Sequence, residues 1–205
     1  MLPADRNVRS PPGENRFMTN QPNSPAHPQQ WALVTGASSG IGAEFCRQLA
    51  AKGYPVVLVA RRRDRLETLA TELQRDHGVD TLVFALDLSV ANAGAELIQK
   101  LKSENISVEF LVNNAGYGVP GHFTVPDWHS HAEFIQVMIT AVCDLTWRLL
   151  PAMQARKSGY IINVASLAGL VPGSAAHTLY GASKSFLIRF SESLEDSPDV
   201  GSSRN

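Results

Sequence analysis

The stretch Tyr180-Gly181-Ala182-Ser183-Lys184 sets a phenol and an ammonium four residues apart. On a helix that spacing puts both side chains on one face, one turn apart. A phenol has an ordinary pKa of about 10 and is a poor base at neutral pH. A neighbouring ammonium favours the phenolate and lowers that value, each unit being worth about 1.4 kcal/mol. A tyrosine so tuned gives a proton to a carbonyl oxygen or takes one from an alcohol. Ser166 follows a short apolar run and adds a hydroxyl able to bond the same substrate oxygen. Plainer readings stand beside these: the Tyr–Lys pair as ordinary helix surface, and Ser166 as a cap or turn residue.

A second constellation lies near the other end. The apolar run Trp31–Thr35 leads into Gly36-Ala37-Ser38-Ser39-Gly40-Ile41-Gly42. Gly36 allows a sharp turn off a strand, Gly40 a close approach to a pyrophosphate, and Gly42 close packing of a following helix. That helix would present free N–H groups and its positive dipole end to phosphates. Ser38, Ser39 and Ile41 are expected beside the cofactor with the three glycines. An NAD site needs a carboxylate about 20 residues further on, for the ribose 2′-hydroxyl. The chain has Ala60-Arg61-Arg62-Arg63 there instead. Arginine grips a phosphate bidentately, so the pattern suits NADP(H) over NAD(H). Arg61 is the first expected contact, Arg62 the second, and Ser38 a further hydroxyl donor. The other reading is a solvated charge run pairing with Asp64 and Glu67.

The intervening elements must carry these groups to one place. Helical spacing runs over Ile41–Lys52, with Ile41, Phe45 and Leu49 on one face and Gly53 as its stop. Pro55–Ala60 reads as a strand. Asp64–Arg75 reads as a helix capped by Asp64, with Leu66, Leu69 and Leu73 inward. Thr81–Leu86 is a third strand, Ala91–Lys102 a helix and Glu109–Asn113 a fourth strand. Glu133–Ala155 is a long helix with Pro151 at a kink or last turn. Tyr160–Ala165 is a fifth strand and Leu179–Leu194 the helix that holds the Tyr–Lys pair. Strands apolar on both faces, alternating with helices, predict an α/β fold: a doubly wound parallel sheet in the order 3-2-1-4-5.

The chain has 205 residues, with 18 basic against 19 acidic ones and 44% apolar residues. That length suits one sizeable domain. The near-neutral charge gives no hint of nucleic-acid or membrane-surface partners. No run approaches the ~20 apolar residues of a membrane span. Cys46 and Cys143 lack metal-site spacing and read as buried thiols, which fits a reduced, cytoplasmic setting. Residues 1–30 hold six of the 12 prolines and are expected to be a disordered extension, with Met18 a candidate alternative start. A transit peptide is disfavoured by Asp5 and Glu14. The globular domain is expected over 31–195, with an irregular tail over 196–205.

Together these motifs resemble the single-domain branch of the short-chain dehydrogenase/reductase family from about Trp31 to Leu194. The resemblance rests on Thr35–Gly42, Asn113-Asn114-Ala115-Gly116, Ile162-Asn163-Val164-Ala165-Ser166 and Tyr180–Lys184. It implies a Rossmann-like fold and hydride transfer between a nicotinamide and a carbonyl or alcohol. It implies Tyr180 as acid/base, Lys184 on the nicotinamide ribose, and Ser166 orienting the substrate oxygen. Asp87-Leu88 resembles the family's pair after the third strand, with Asp87 on the adenine. Asn113, Asn114, Ala115 and Gly116 would support the cofactor and the central sheet.

Three departures stand out. Met138 occupies the position, counted back from Pro151, of the family's usual relay asparagine, and a thioether is a weak acceptor. Ser166 and Tyr180 are 14 residues apart, one more than expected, with Pro172-Gly173-Ser174 able to absorb the difference. The family's strands and substrate-loop helices beyond the Tyr–Lys helix have no counterpart, so a truncated member is expected. Two functions follow: a working NADP-dependent reductase or dehydrogenase, or a cofactor-binding but inactive remnant. Tyr117, Val119, Phe123, Val125 and Trp128 would line an apolar pocket or simply pack under a loop. His122, His129, His131 and His177 read as surface or pocket-lining residues. The resemblance also implies a homo-dimer or tetramer, with Ile135, Val142, Leu145 and Leu149 serving core or interface.

Overall fold

The computed structural model describes residues 30–172 and 178–195. The proposed disordered extension up to residue 29, Gly173-Ser174, His177 and the tail over 196–205 lie outside them. Five strands are parallel: β1 (Gln30–Thr35), β2 (Val56–Ala60), β3 (Thr81–Ala85), β4 (Ser107–Asn113) and β5 (Tyr160–Asn163). Their order is β3-β2-β1-β4-β5, as the alternating pattern predicts. Gln30, grouped above with the extension, pairs with Ser107 and opens β1.

Period-two alternation explains the two covered faces. Ala32 and Val34 of β1 join Val56 and Leu58 of β2 on one face. There they meet α1 (Gly40–Ala51) and α2 (Arg63–His77) through Cys46, Leu49, Leu66 and Leu73. Leu33, Val57 and Val59 point to the opposite face. They meet α3 (Ala93–Ser103) and α5 (Ala141–Arg156) through Leu97, Leu101, Ala141 and Leu145. The domain is completed by α4 (Trp128–Ile135) and α6 (Thr178–Glu195).

Several helix details differ from the sequence expectation. Ile41 is 61% exposed, because α1 turns Gly42, Ala43, Cys46 and Leu49 toward the sheet instead. Asp64 does not cap α2: Arg62 is the cap residue, Asp64 lies in the first turn, and Gly78 ends the helix in a left-handed conformation. The long helix starts at Trp128, not Glu133, because the Asp127 carboxylate accepts the Ser130 N–H at 2.7 Å. It passes through one π turn at Gln136–Thr140 and continues through Pro151 to Arg156. This 29-residue run has a mean hydropathy of 1.2 in its most apolar window. It therefore meets the length and composition of a membrane span, which the sequence reading missed. Its apolar residues Phe134, Val137, Met138, Val142 and Leu145 are buried in the core. Val142 and Leu145 are thus core residues, and Trp147 is the exposed large side chain on α5.

Two further expectations are corrected. Cys143 is only half-buried, whereas Cys46 is fully buried. His131 is a core residue rather than a surface or pocket-lining one: it stacks on Phe123 with centroids 4.9 Å apart, and its Nε2 lies 2.8 Å from the Phe123 carbonyl.

One buried hydroxyl joins the ends of the two central strands. Thr35 donates its Oγ1–H to the Val112 carbonyl at 3.2 Å and accepts the Asn114 and Ala115 N–H groups, each at 3.0 Å. The Asn114 amide answers by donating to the carbonyls of Thr35 at 2.9 Å and Gly36 at 3.3 Å. Thr35→Val keeps the shape and leaves the Ala115 N–H without that acceptor. It should cost about 1–3 kcal/mol in urea unfolding; an unchanged midpoint and slope would show the junction to be dispensable.

Burial pushes the Cys46 thiol up to about 12. The folded chain thus keeps this proton over a pH range where the unfolded chain has lost it. The contribution to stability is complete below the unfolded value and is lost as pH rises above about 9, by up to about 1.4 kcal/mol per unit. Unfolding free energies for wild type and Cys46→Ala between pH 8.5 and 10.5 should differ in slope with that sign. Parallel pH profiles would contradict it.

Candidate active site

The glycine turn is built around close contact rather than flexibility. Gly36 has φ +66°, and a Cβ there would stand 2.8 Å from both Ala115 Cα and the Asn114 amide nitrogen. A Cβ on Gly42 would collide with the Gly36 carbonyl and the same amide. So Gly42 packs α1 against the turn itself, and the turn against the loop after β4. Gly40 has φ +57° and open space beside it, which leaves the start of α1 accessible.

A cavity runs along the C-terminal ends of the strands from this turn. Gly36, Ser38 and Ser39 form one side. Arg61 and Arg62 enter from the end of β2, and Asp87 and Leu88 from the end of β3. Ala115, Gly116 and Tyr117 close it after β4. Asp87 is fixed by its own loop, accepting the Ser89 N–H at 2.9 Å. Gly40, Ile41, Gly42 and Asn114 shape the turn without lining this cavity. Arg62 lies across the two serines. Its guanidinium donates to Ser38 Oγ from Nε at 3.2 Å and from Nη2 at 2.8 Å, and to Ser39 Oγ at 2.8 Å. Arg62, not Arg61, is the arginine joined to the glycine turn. No acidic residue stands at the end of β2.

The residues predicted for proton transfer gather at the end of β5 and on α6, outside the lining of that cavity. Lys184 is buried, and its Nζ donates to the Val164 carbonyl at 2.6 Å. Burial lowers its pKa. The same Nζ lies 5.7 Å from the centre of the Tyr180 ring. The four-residue spacing thus does place both side chains together on one helix face. The Ser183 hydroxyl donates to the Tyr180 carbonyl at 2.8 Å and holds the first turns of α6. Ser166 precedes the 3-10 turn Leu167–Gly169, and its Oγ accepts the Ala168 N–H at 3.2 Å. It is therefore a cap residue, with a hydroxyl proton still available to donate.

Behind these groups an amide chain ties the strands together. Asn113 donates to Asn163 Oδ1 at 2.9 Å, and Asn163 donates to Ser191 Oγ on α6 at 2.9 Å. Met138 sits within the π turn, buried, with its sulfur 2.8 Å from where a Cβ on Gly116 would stand. Sequence reasoning gave no role of their own to Thr35, Glu133, Asn163 and Ser191. Thr35 and Asn163 each end a strand within a quoted motif, which was a usable signal. Glu133 lines the cavity from α4, and nothing in its local sequence marks that position. Of the suggested pocket residues, Tyr117 lines the cavity, while Phe123, Val125 and Trp128 are exposed.

The profile of the short chain dehydrogenase family matches residues 30–198. A very-long-chain 3-oxoacyl-CoA reductase of Laccaria bicolor is 37% identical over 166 residues, covering 80% of this chain and 49% of that one. The Homo sapiens protein of the same description is 34% identical over 173 residues, covering 82% and 54%. A short-chain dehydrogenase from Sphingobium yanoikuyae, solved in complex with NADPH, superposes with a TM-score of 0.76 at 32% identity, covering 81% and 64%. The chain spans about half the length of the curated relatives it matches. Glycine turn, five-stranded parallel sheet, Tyr–Lys helix and family match agree: the chain belongs to the short-chain dehydrogenase family.

Proposed function

We propose that this chain binds NADP(H) along the C-terminal edge of the sheet and reduces a carbonyl, or oxidises the matching alcohol, with Tyr180 as general acid or base. The observation that carries this reading is Lys184, an ammonium buried beside the Tyr180 ring with the Val164 carbonyl as its hydrogen-bond acceptor. The geometry also fits a dinucleotide. Gly40 leaves open space where α1 begins, and Arg62 already lies over Ser38 and Ser39. When bound, NADPH supplies the hydride.

The chain's residues do the rest. Arg62 and Arg61 line the cavity where they would hold a 2′-phosphate, and their charge supports NADP(H) over NAD(H). Asp87 and Leu88, which line the far side of the cavity, would hold the adenine. The Tyr180 hydroxyl gives its proton to the carbonyl oxygen, and the Ser166 hydroxyl donates a hydrogen bond to the same oxygen. Lys184 holds its side of the site through Val164. An apolar substrate suits the exposed Phe123, Val125 and Trp128 after β4 and the exposed Leu167, Leu170 and Val171 after β5. The names of the relatives make a long-chain 3-oxoacyl thioester the first ketone to test. Met138 favours a second reading, cofactor binding without turnover, because a thioether is a poor replacement for a polar relay group.

NADPH should raise the melting temperature more than NADH at equal concentration. Arg62→Ala should weaken NADPH binding by about 10–100-fold and leave NADH nearly unchanged, as expected for loss of a charge-assisted contact. Equal loss for both cofactors would remove Arg62 from the phosphate site. In NADPH oxidation with 3-oxoacyl thioesters and simpler ketones, Tyr180→Phe should lower kcat by about 10²–10⁴-fold. Equal rates for the two proteins would overturn the assigned chemistry, and binding without any turnover would favour the second reading.

A further inference from the structure

The turn that carries Ser166 lies directly on the backbone of α6. A Cβ on Gly169 would stand 2.7 Å from the Lys184 carbonyl carbon and from the Ser185 nitrogen. A Cβ on Gly181 would stand 3.0 Å from the Ala168 carbonyl oxygen. No side chain larger than hydrogen fits at Gly169 without moving backbone on one side or the other. Across this contact the Ser185 hydroxyl donates to the Gly169 carbonyl at 2.5 Å. The neighbouring residue on the helix, Lys184, donates to the Val164 carbonyl at 2.6 Å. Residues 165–168, with Ser166 among them, are thus strung between two carbonyls held by consecutive side chains of one helix.

We propose that Ser185 and Gly169 are positioning residues that set the place of the Ser166 hydroxyl relative to Tyr180. The inference rests on the catalytic reading of Ser166, Tyr180 and Lys184 given above. Neither residue needs to meet substrate or cofactor. The chemistry requires the proton donor and the second hydrogen-bond donor to converge on one oxygen, and a misplacement of about 1 Å costs such a site heavily. Lys184 fixes the start of the Ser166 segment, and it also stands beside Tyr180. Ser185 fixes the end of that segment and is one residue away. One helix therefore measures out the distance between the two hydroxyls.

The test compares full-length wild type, Ser185→Ala, Ser185→Thr and Tyr180→Phe. Amide hydrogen exchange is followed across Leu167–Leu170, whose N–H groups include the Ala168 donor to Ser166 and the Gly169 donor to the Ser166 carbonyl. In Ser185→Ala these amides should exchange about 3–10-fold faster, the effect of losing one hydrogen bond. Ser185→Thr keeps the hydroxyl and should restore slow exchange. In turnover, Ser185→Ala should lower kcat by about 10-fold while NADPH affinity stays within about 2-fold, and Ser185→Thr should recover most of the rate. Unchanged exchange in Ser185→Ala overturns the clamp whether or not the protein turns over. Faster exchange with an unchanged kcat, where Tyr180→Phe is inactive, overturns the positioning role. Tyr180→Phe as active as wild type overturns the catalytic reading instead.

Discussion

The fold turns on one problem: two central strands must end side by side and then diverge, leaving room for a ligand between them. Thr35 and Asn114 solve it. Thr35 both gives and receives hydrogen bonds across the gap between β1 and β4, and Asn114 donates to it from backbone and side chain, so the bonds of the junction reinforce one another. The hydroxyl of Thr35 is buried, which makes each of its bonds costly to lose. Gly36 and Gly42 then let the chain pass within contact distance of Asn114. A side chain at either glycine would force the strand ends apart. The glycines, which the sequence shows most plainly, therefore serve the asparagine amide at least as directly as they serve a phosphate.

The second half of the site depends on the first through the sheet. Asn113 ends β4 in register with Asn163 at the end of β5, and the two amides bond directly. Asn163 continues to Ser191 on α6, the helix that carries Tyr180 and Lys184. A polar chain thus leads from the end of β4, whose following turn lines the cavity, to the helix that carries Tyr180 and Lys184. Asn113 is buried and Asn163 half-buried, and both have defined partners, the kind of network that fixes one arrangement of its parts. The two regions share no cavity lining, so their alignment relies on this framework.

The elements were legible because both covered faces of a parallel sheet leave a strong apolar pattern. The Gly-rich turn, the arginines after β2 and the Tyr–Lys spacing were legible because each is a local motif with one physical demand. What escaped was decided by long-range packing. Ile41 has the helical spacing of a core residue, yet small residues on the other face of α1 turn to the sheet. His131 looks like a surface histidine until Phe123 folds back over it. Asp64 has the right residue type for a cap, but the helix is capped two residues earlier, at Arg62. The π turn at Gln136–Thr140 holds three β-branched residues in five, which lowers helix propensity without marking a π turn, although such turns often mark functional sites.

That π turn bears on how the chemistry is arranged. It lies between α4, which lines the cavity through Glu133, and α5, which is packed in the core. It directs Met138 against Gly116, at the edge of the cofactor cavity. An amide in that buried position would need partners of its own, whereas a thioether needs none and fills the space by contact alone. The polar work near the tyrosine then falls to groups already held elsewhere. Lys184 has the Val164 carbonyl, Ser166 has the Ala168 amide, and the turn between them is closed by Ser185. Ser166, Tyr180 and Lys184 are thus organised from β5 and α6, and the helix running from α4 to α5 sets an apolar side chain, Met138, against the loop after β4.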